Sequence, residues 1–163
     1  MKDPLSIYLN DHLAGSAGGV ELARRLRSNN ADDPVFGPPI AELCAEIEAD
    51  RETLEGAMEQ LGVSRDRLKP AGAWIGEKLG RFKLNGQLTG YAPLSRLVEL
   101  ELLYLGLTGQ IRLWSALEAG LGHRDVDGLD FAQMVARATA QRSRVEELHL
   151  SAAALALSPP VSA

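Results

Sequence analysis

The side chains best suited to chemistry in this chain are a few carboxylates and histidines near apolar helix faces. Glu146 and His149 form a Glu-x-x-His motif. On a helix, a glutamate and a histidine at this spacing can share one metal ion, and helical bundles with two-metal centres use the motif in this way. The motif therefore predicts a metal site, and the alternative interpretation is a chance occurrence on a charged helix.

Three more polar positions interrupt apolar faces. His12 lies about 60° from the centre of one such face and can still point inward. Asp50 and Arg51 interrupt another face. Ions are costly to bury unless they are paired. Glu99 and Glu101 point to nearly opposite sides of a leucine-rich segment. We expect Glu101 to face inward, because it shares its side of the helix with several leucines.

These positions allow two interpretations. In the functional one, His12, Asp50, Glu101 and His149 converge on a metal ion, and Glu146 is a further ligand. In the structural one, His12 is a core histidine and the charged groups form separate ion pairs with other helices. The chain has no phosphate-binding loop, dinucleotide-binding turn or nucleophile elbow.

The composition limits the classes of partner. The net charge is −5, the isoelectric point is about 5.2, and no basic run exceeds two residues, so we expect no nucleic-acid partner. No run of 18 apolar residues is present, which predicts no membrane span. The amino terminus lacks the pattern of a signal peptide, and the lone Cys44 excludes an internal disulfide framework, so we expect a cytoplasmic protein.

The elements that must position these residues are helices. Sparse β-branched residues and the absence of alternating runs argue against strands. Asp3 and Pro4 are suited to a helix start, and Gly62 to a helix end. Apolar residues at helical spacing predict helices at 4–28, 40–61, 64–84 (interrupted by a proline), 93–118 and 129–157.

Four of these segments are long and of matched length, roughly 33 to 43 Å at about 1.5 Å per residue. They predict one all-α domain over residues 1–163, an antiparallel bundle of four long helices. A crossover at about 62–92 would carry the short helix, and a flexible tail would span about 158–163. The competing fold is an irregular array of helices.

Two features predict association of helices or subunits. The stretch from Gly15 to Gly19 is almost entirely small, and glycine is costly inside a helix, so we expect another helix to approach it closely. The segment at 93–118 is apolar nearly all round, which is typical of a central helix or one covered at a subunit interface. We therefore expect a homo-oligomer, or binding to a protein partner.

The helix order and three short stretches resemble the ferritin-like superfamily, in particular its small bacterial members. The stretches are YLNDH at 8–12, KLNG at 83–86 and GYAPLSRL at 90–97. The resemblance implies a ligand set of one glutamate from each of two helices and Glu-x-x-His from each of the others. Glu146 and His149 would supply one motif and Glu101 one carboxylate, but the second segment carries no histidine.

Three functional hypotheses follow. The first is a non-catalytic helical bundle that acts by association with itself or with a partner. The alternative is a ferritin-like metal-binding protein or oxidoreductase with a degenerate site, and its metal would be iron or manganese. A third hypothesis places a small apolar ligand between the helices.

Overall fold

The structure is a computed structural model that describes residues 3–66, 91–122, 126 and 128–158. This part of the chain contains four α-helices and no strand, so the all-α class is confirmed for it. Most of the predicted helix at 64–84, most of the predicted crossover and nearly all of the tail lie outside the described residues. Residues 64–66 are described and are not helical, so the predicted start of that helix at Ser64 is wrong. The helices are α1 (Pro4–Asn29), α2 (Gly37–Gln60), α3 (Pro93–Leu121) and α4 (Phe131–Leu157).

The helix ends follow local sequence chemistry. The Asp3 carboxylate accepts hydrogen bonds from the backbone N–H groups of Leu5 and Ser6, at 3.4 and 3.1 Å. This is the predicted cap of α1. Helix α2 begins at residue 37, three residues earlier than predicted. Its first turn can contain two prolines because the N–H groups of a first turn have no helical acceptor.

Gly62 ends α2, as predicted. Its φ of +68° lies in the left-handed region that favours glycine. The N–H of Gly62 donates to the Glu59 carbonyl at 3.0 Å, and the N–H of Val63 donates to the Met58 carbonyl at 2.8 Å. These two bonds form a Schellman motif, which satisfies carbonyls at the end of the helix.

The core consists of two apolar clusters, and all four helices contribute to each. The first includes Leu26, Ile40, Leu100 and Val145, among others. The second includes Leu9, Leu54, Met58, Trp114 and Phe131. On every helix, the residues between the two clusters include polar side chains, which form the layer described below.

Contacts between helices fix their relative positions. Arg24 of α1 is paired with Glu48 of α2 at 2.6 Å, and Arg51 of α2 donates to the Leu13 carbonyl of α1 at 3.1 Å. Residues nearer the start of α1 therefore contact residues nearer the end of α2. In the described residues, no helix is both long and apolar enough to cross a membrane.

Candidate functional site

Asp50 is the centre of a polar layer between the two apolar clusters. Its side chain is only 3% exposed. Its Oδ2 accepts hydrogen bonds from the amides of Gln110 at 3.0 Å and Gln141 at 2.7 Å, and its Oδ1 lies 2.8 Å from Nε of Arg137. These contacts connect α2 to α3 and α4. They agree with the structural interpretation, in which Asp50 pairs with another helix.

Arg51 connects the same layer to α1. Its Nη1 donates to the carbonyl of Leu13 at 3.1 Å and to Oγ of Ser16 at 3.0 Å, and its Nε lies 3.1 Å from a carboxylate oxygen of Glu55. The guanidinium is thus paired with an acid one turn away on its own helix. Asp50 and Arg51, although adjacent, contact different helices.

A partly open cavity of about 550 Å³ lies between α1, α2 and α3, beside this layer. Its wall is mostly aliphatic. A smaller number of polar groups also line it, and four glycines complete the wall. The aliphatic residues are Ile47, Leu54, Leu102, Leu103, Leu105, Leu107 and Leu113; the others are Asp11, His12, Ser16, Asp50, Arg51, Gln110, Trp114, Gly15, Gly19, Gly106 and Gly109.

The four glycines leave space rather than admit a neighbouring helix. For Gly15, Gly19, Gly106 and Gly109, no atom of another described residue lies within 4 Å of the position that a Cβ would take. The expected close approach of another helix is therefore not seen at Gly15 and Gly19 in this part of the chain, whereas Gly18, between them, is buried. A glycine in a helix can either allow another helix to pack closely or leave empty space beside its own helix. Beside these four glycines the space is empty.

The helix register places these glycines opposite one another. Arg25 of α1 is paired with Glu99 of α3 at 2.7 Å. Residue numbers rise in opposite directions on these two helices, since Leu9 and Leu13 pack in the same cluster as Trp114. Equal steps from the Arg25–Glu99 pair bring Gly15 to the level of Gly109 and Gly19 close to that of Gly106. The two helices that face each other across the cavity therefore lack side chains at the same levels along their length.

Trp114 lines the cavity and carries an unpaired donor. The side chain is fully buried, and its Nε1 has no hydrogen-bond partner among the described residues. The only other buried side-chain atom there without a hydrogen bond or ion pair is Oε1 of Gln141. An unsatisfied buried donor costs roughly 1–3 kcal/mol.

His12 also lines the cavity, where it is half-buried. Burial lowers the pKa of its imidazole below the ordinary value of 6.5, and the charge of Asp11 offsets part of this effect. Its ring makes an edge-on contact with Tyr8, with the ring centroids 4.6 Å apart. His12 is therefore a neutral, partly packed group at neutral pH.

The residues predicted to bind a metal do not come together. No group of three or more His, Cys, Asp or Glu side chains in the described part of the chain is placed to hold a metal ion. Asp50 and His12 line the cavity, but Glu101 and Glu146 are exposed and His149 is half-buried on α4. The Glu-x-x-His motif thus lacks inward-facing partners among these residues.

The choice of Glu101 as the inward glutamate is wrong, because Glu99 is the buried one at 1% exposure. Glu101 shares its side of α3 with Leu94 and Leu105, and these leucines are 40% and 55% exposed. An apolar helix with leucines on all sides does not reveal which side faces the core.

Glu99 belongs to a second polar cluster, near the start of α3. The Tyr91 hydroxyl donates to its Oε2 at 2.7 Å, and Arg25 is paired with its Oε1. Burial raises the pKa of the Glu99 carboxyl, although Tyr91 and Arg25 lower it in part. Arg96 extends the cluster by donating to Asn30 Oδ1 at 2.6 Å. Tyr91 and Arg96 thus join the start of α3 to the end of α1.

Some residues of the site were missed at the sequence level. Gln110 and Gln141 each interrupt an apolar stripe, as Asp50 does, and that shared pattern could have indicated one layer.

No family model, curated protein or solved structure matches the chain. The described residues define a helical bundle with a partly open, largely apolar cavity beside a buried ion pair.

Proposed function

We propose that this protein binds a small apolar molecule in the cavity between α1, α2 and α3. The observation that carries the proposal is the cavity itself, of about 550 Å³, with aliphatic walls and four glycines. Ligand sites are typically clefts of roughly 300–1,000 Å³, mostly apolar, with a few polar groups that orient the ligand. The size and the wall chemistry both fit that description.

The glycines support the proposal on energetic grounds. Glycine inside a helix is less favourable than alanine by about 0.8–1.0 kcal/mol. Glycines that let two helices approach would regain this energy in packing, but a Cβ built at any of these four would meet no atom of another described helix within 4 Å. Their cost is explained if the open volume is itself useful. A binding function gives the volume a use.

The polar groups of the cavity favour binding over catalysis. Asp50 and Arg51 are engaged with side chains or backbone of other helices. Ser16 donates to the Leu13 carbonyl and accepts from Arg51. None of these contacts places a base beside a nucleophile, which is the arrangement that covalent catalysis requires.

A titration with the neutral fluorescent dye N-phenyl-1-naphthylamine tests the proposal. We expect saturable binding of one dye per chain, and the variant Gly109→Leu should abolish it by filling the cavity. Gly56→Leu is the matched control, because Gly56 also lies within a helix, has open space beside it, and does not line the cavity. Equal dye binding by Gly109→Leu and the wild type would contradict the proposal.

Self-association is a second candidate, and it continues the first sequence-based hypothesis. Leu150 and Leu157 are 63% and 66% exposed and lie two turns apart on one side of α4. A second copy of the chain could cover them, as in many symmetric dimers. Sedimentation equilibrium should show an oligomer that Leu150→Glu/Leu157→Glu dissociates. A monomeric wild type at high micromolar concentration would contradict this candidate.

The overall arrangement is part of the same proposal. We propose an antiparallel bundle of ferritin-like helix order, supported by the opposite directions of α1 and α2 and of α1 and α3. Parallel α2 and α3 would need a long crossover, as the 32 residues between Gln60 and Pro93 allow. A cytoplasmic location is proposed from composition alone.

A further inference from the structure

We infer that the cavity accepts an elongated amphipathic molecule, of the class that long-chain alcohols represent, with its apolar tail toward Gly19 and its polar head toward His12. This inference rests on the proposed function, because it names the class of ligand for the same cavity. Two observations lead to it: the cavity extends along the helices, and the polar groups of its wall all lie in one half.

The cavity is longer than it is wide. On α1 its wall extends from Asp11 to Gly19, and on α3 from Leu102 to Trp114. At about 1.5 Å per residue, these walls are about 12 Å and about 18 Å long. Since the cavity encloses about 550 Å³, its mean width over such a length is about 6–8 Å. An elongated molecule that lies parallel to the helices fits this shape.

The half of the cavity around Gly19 has no polar side chain among the described residues. In the register set by the Arg25–Glu99 pair, Gly19 lies level with the lining residues of α3 that come first in the chain. Ile47 of α2 lies near this level too, because Arg51, one turn later, bonds to Ser16. A tail placed here contacts only aliphatic groups and glycines. Besides Gly19 and Ile47, these are Leu102, Leu103, Leu105, Gly106 and Leu107.

The other half contains every polar side chain of the described wall. His12 lies at its far end, half-buried, and its imidazole makes no hydrogen bond to a described residue. A neutral imidazole has one donor and one acceptor nitrogen, and a hydroxyl head is suited to either. Beside it, Asp11 is exposed, so a head at this end also meets water. The remaining polar residues of this half are Ser16, Asp50, Arg51, Gln110 and Trp114.

A series of 1-alkanols from hexanol to hexadecanol, each competing with N-phenyl-1-naphthylamine below its solubility limit, tests the inference. Each methylene group that enters the apolar half should raise the affinity about fourfold. Since a carbon–carbon bond is about 1.5 Å long, an extended chain gains about 1.3 Å per carbon. Walls of about 12 Å and about 18 Å then correspond to about nine and about fourteen carbons, and the rise in affinity should end between these lengths.

The variant Gly19→Leu tests the orientation of the ligand. Its side chain would occupy the apolar end, where a Cβ at this position meets no described atom within 4 Å. The rise in affinity should then end about three carbons earlier, about the length of a leucine side chain. The affinity for hexanol should stay the same, because a short chain with its head near His12 does not reach this end. Gly56→Leu is the matched control and should keep the wild-type series, since Gly56 does not line the cavity.

The outcomes separate this inference from the proposed function. Affinities that do not depend on chain length, or that rise to hexadecanol without an end, would overturn the inference of an elongated ligand and leave cavity binding intact. Loss of hexanol binding in Gly19→Leu, with the end of the rise unchanged, would overturn the orientation. Failure of the dye and of every alkanol to bind the wild type would overturn the proposed function as well.

Discussion

Alanine at the cavity glycines should stabilise the protein and weaken ligand binding at the same time. Gly19 and Gly106 lie inside α1 and α3, and a Cβ at either position meets no described atom within 4 Å. Alanine is favoured over glycine in a helix interior by about 0.8–1.0 kcal/mol. The double variant Gly19→Ala/Gly106→Ala should therefore gain about 2 kcal/mol of stability.

For a domain of this size, 1 kcal/mol corresponds to a Tm shift of about 2–4 °C. The double variant should thus unfold about 4–8 °C higher, as measured by circular dichroism at 222 nm. Its two added methyl groups project into the cavity, and an excess methyl in an apolar pocket commonly weakens binding tenfold or more. Dye affinity should fall accordingly.

Two single variants serve as controls. Gly56→Ala lies outside the cavity and has open space, so it should raise Tm and leave dye affinity unchanged. Gly37→Ala should lower Tm, because its Cβ would lie 2.7 Å from the carbonyl oxygen of Asn30. A lower Tm for Gly19→Ala/Gly106→Ala would refute the reasoning, since it would show that another part of the chain already fills the space beside these glycines.

Three further predictions concern stability. Asp50→Ala leaves the buried amide of Gln141 without its acceptor, so it should cost about 3 kcal/mol by urea unfolding; a loss below about 1 kcal/mol would contradict the role of the polar layer. Gly62→Ala forces a Cβ into a left-handed conformation and should cost about 1–2 kcal/mol, measured as a lower Tm; an unchanged Tm would argue against the Schellman motif. The folded state raises the pKa of Glu99, so the stabilising contribution of this group is complete below its ordinary pKa of 4.5 and is lost as the pH rises through the raised value. Wild-type stability relative to Glu99→Gln should therefore decrease as the pH rises above the ordinary glutamate value of 4.5, and parallel curves would contradict this.

Local sequence chemistry was enough to predict the start of α1 and the end of α2. Asp3 and Gly62 mark ends because their effects depend only on neighbouring backbone groups. Helix α2 begins three residues before its predicted start, because closely spaced prolines predict a loop and yet are tolerated in the first turn of a helix. Structural features that depend only on residues close together in the sequence were therefore predictable.

The direction of each side chain relative to other helices was not predictable in the same way. Helix α3 has leucines on all sides, so its pattern gave no reason to prefer Glu99 over Glu101. The ion pair between Arg25 and Glu99 depends on how α1 and α3 pack, which involves residues far apart in the chain. The open space beside the glycines also depends on helix packing.

The polar layer and the cavity have a common physical basis. The structure around a void relaxes toward it in part, so bonds that fix the separation of the helices help to keep a cavity between them open. Arg51 fixes α2 against α1, and Asp50 fixes α2 against α3 and α4, through bonds that require set distances. These bonds lie at the same level as the glycine walls, between the two apolar clusters. The polar layer therefore holds the helices apart at the level where the glycines leave space. Without the layer, neighbouring side chains and helices could move into that space.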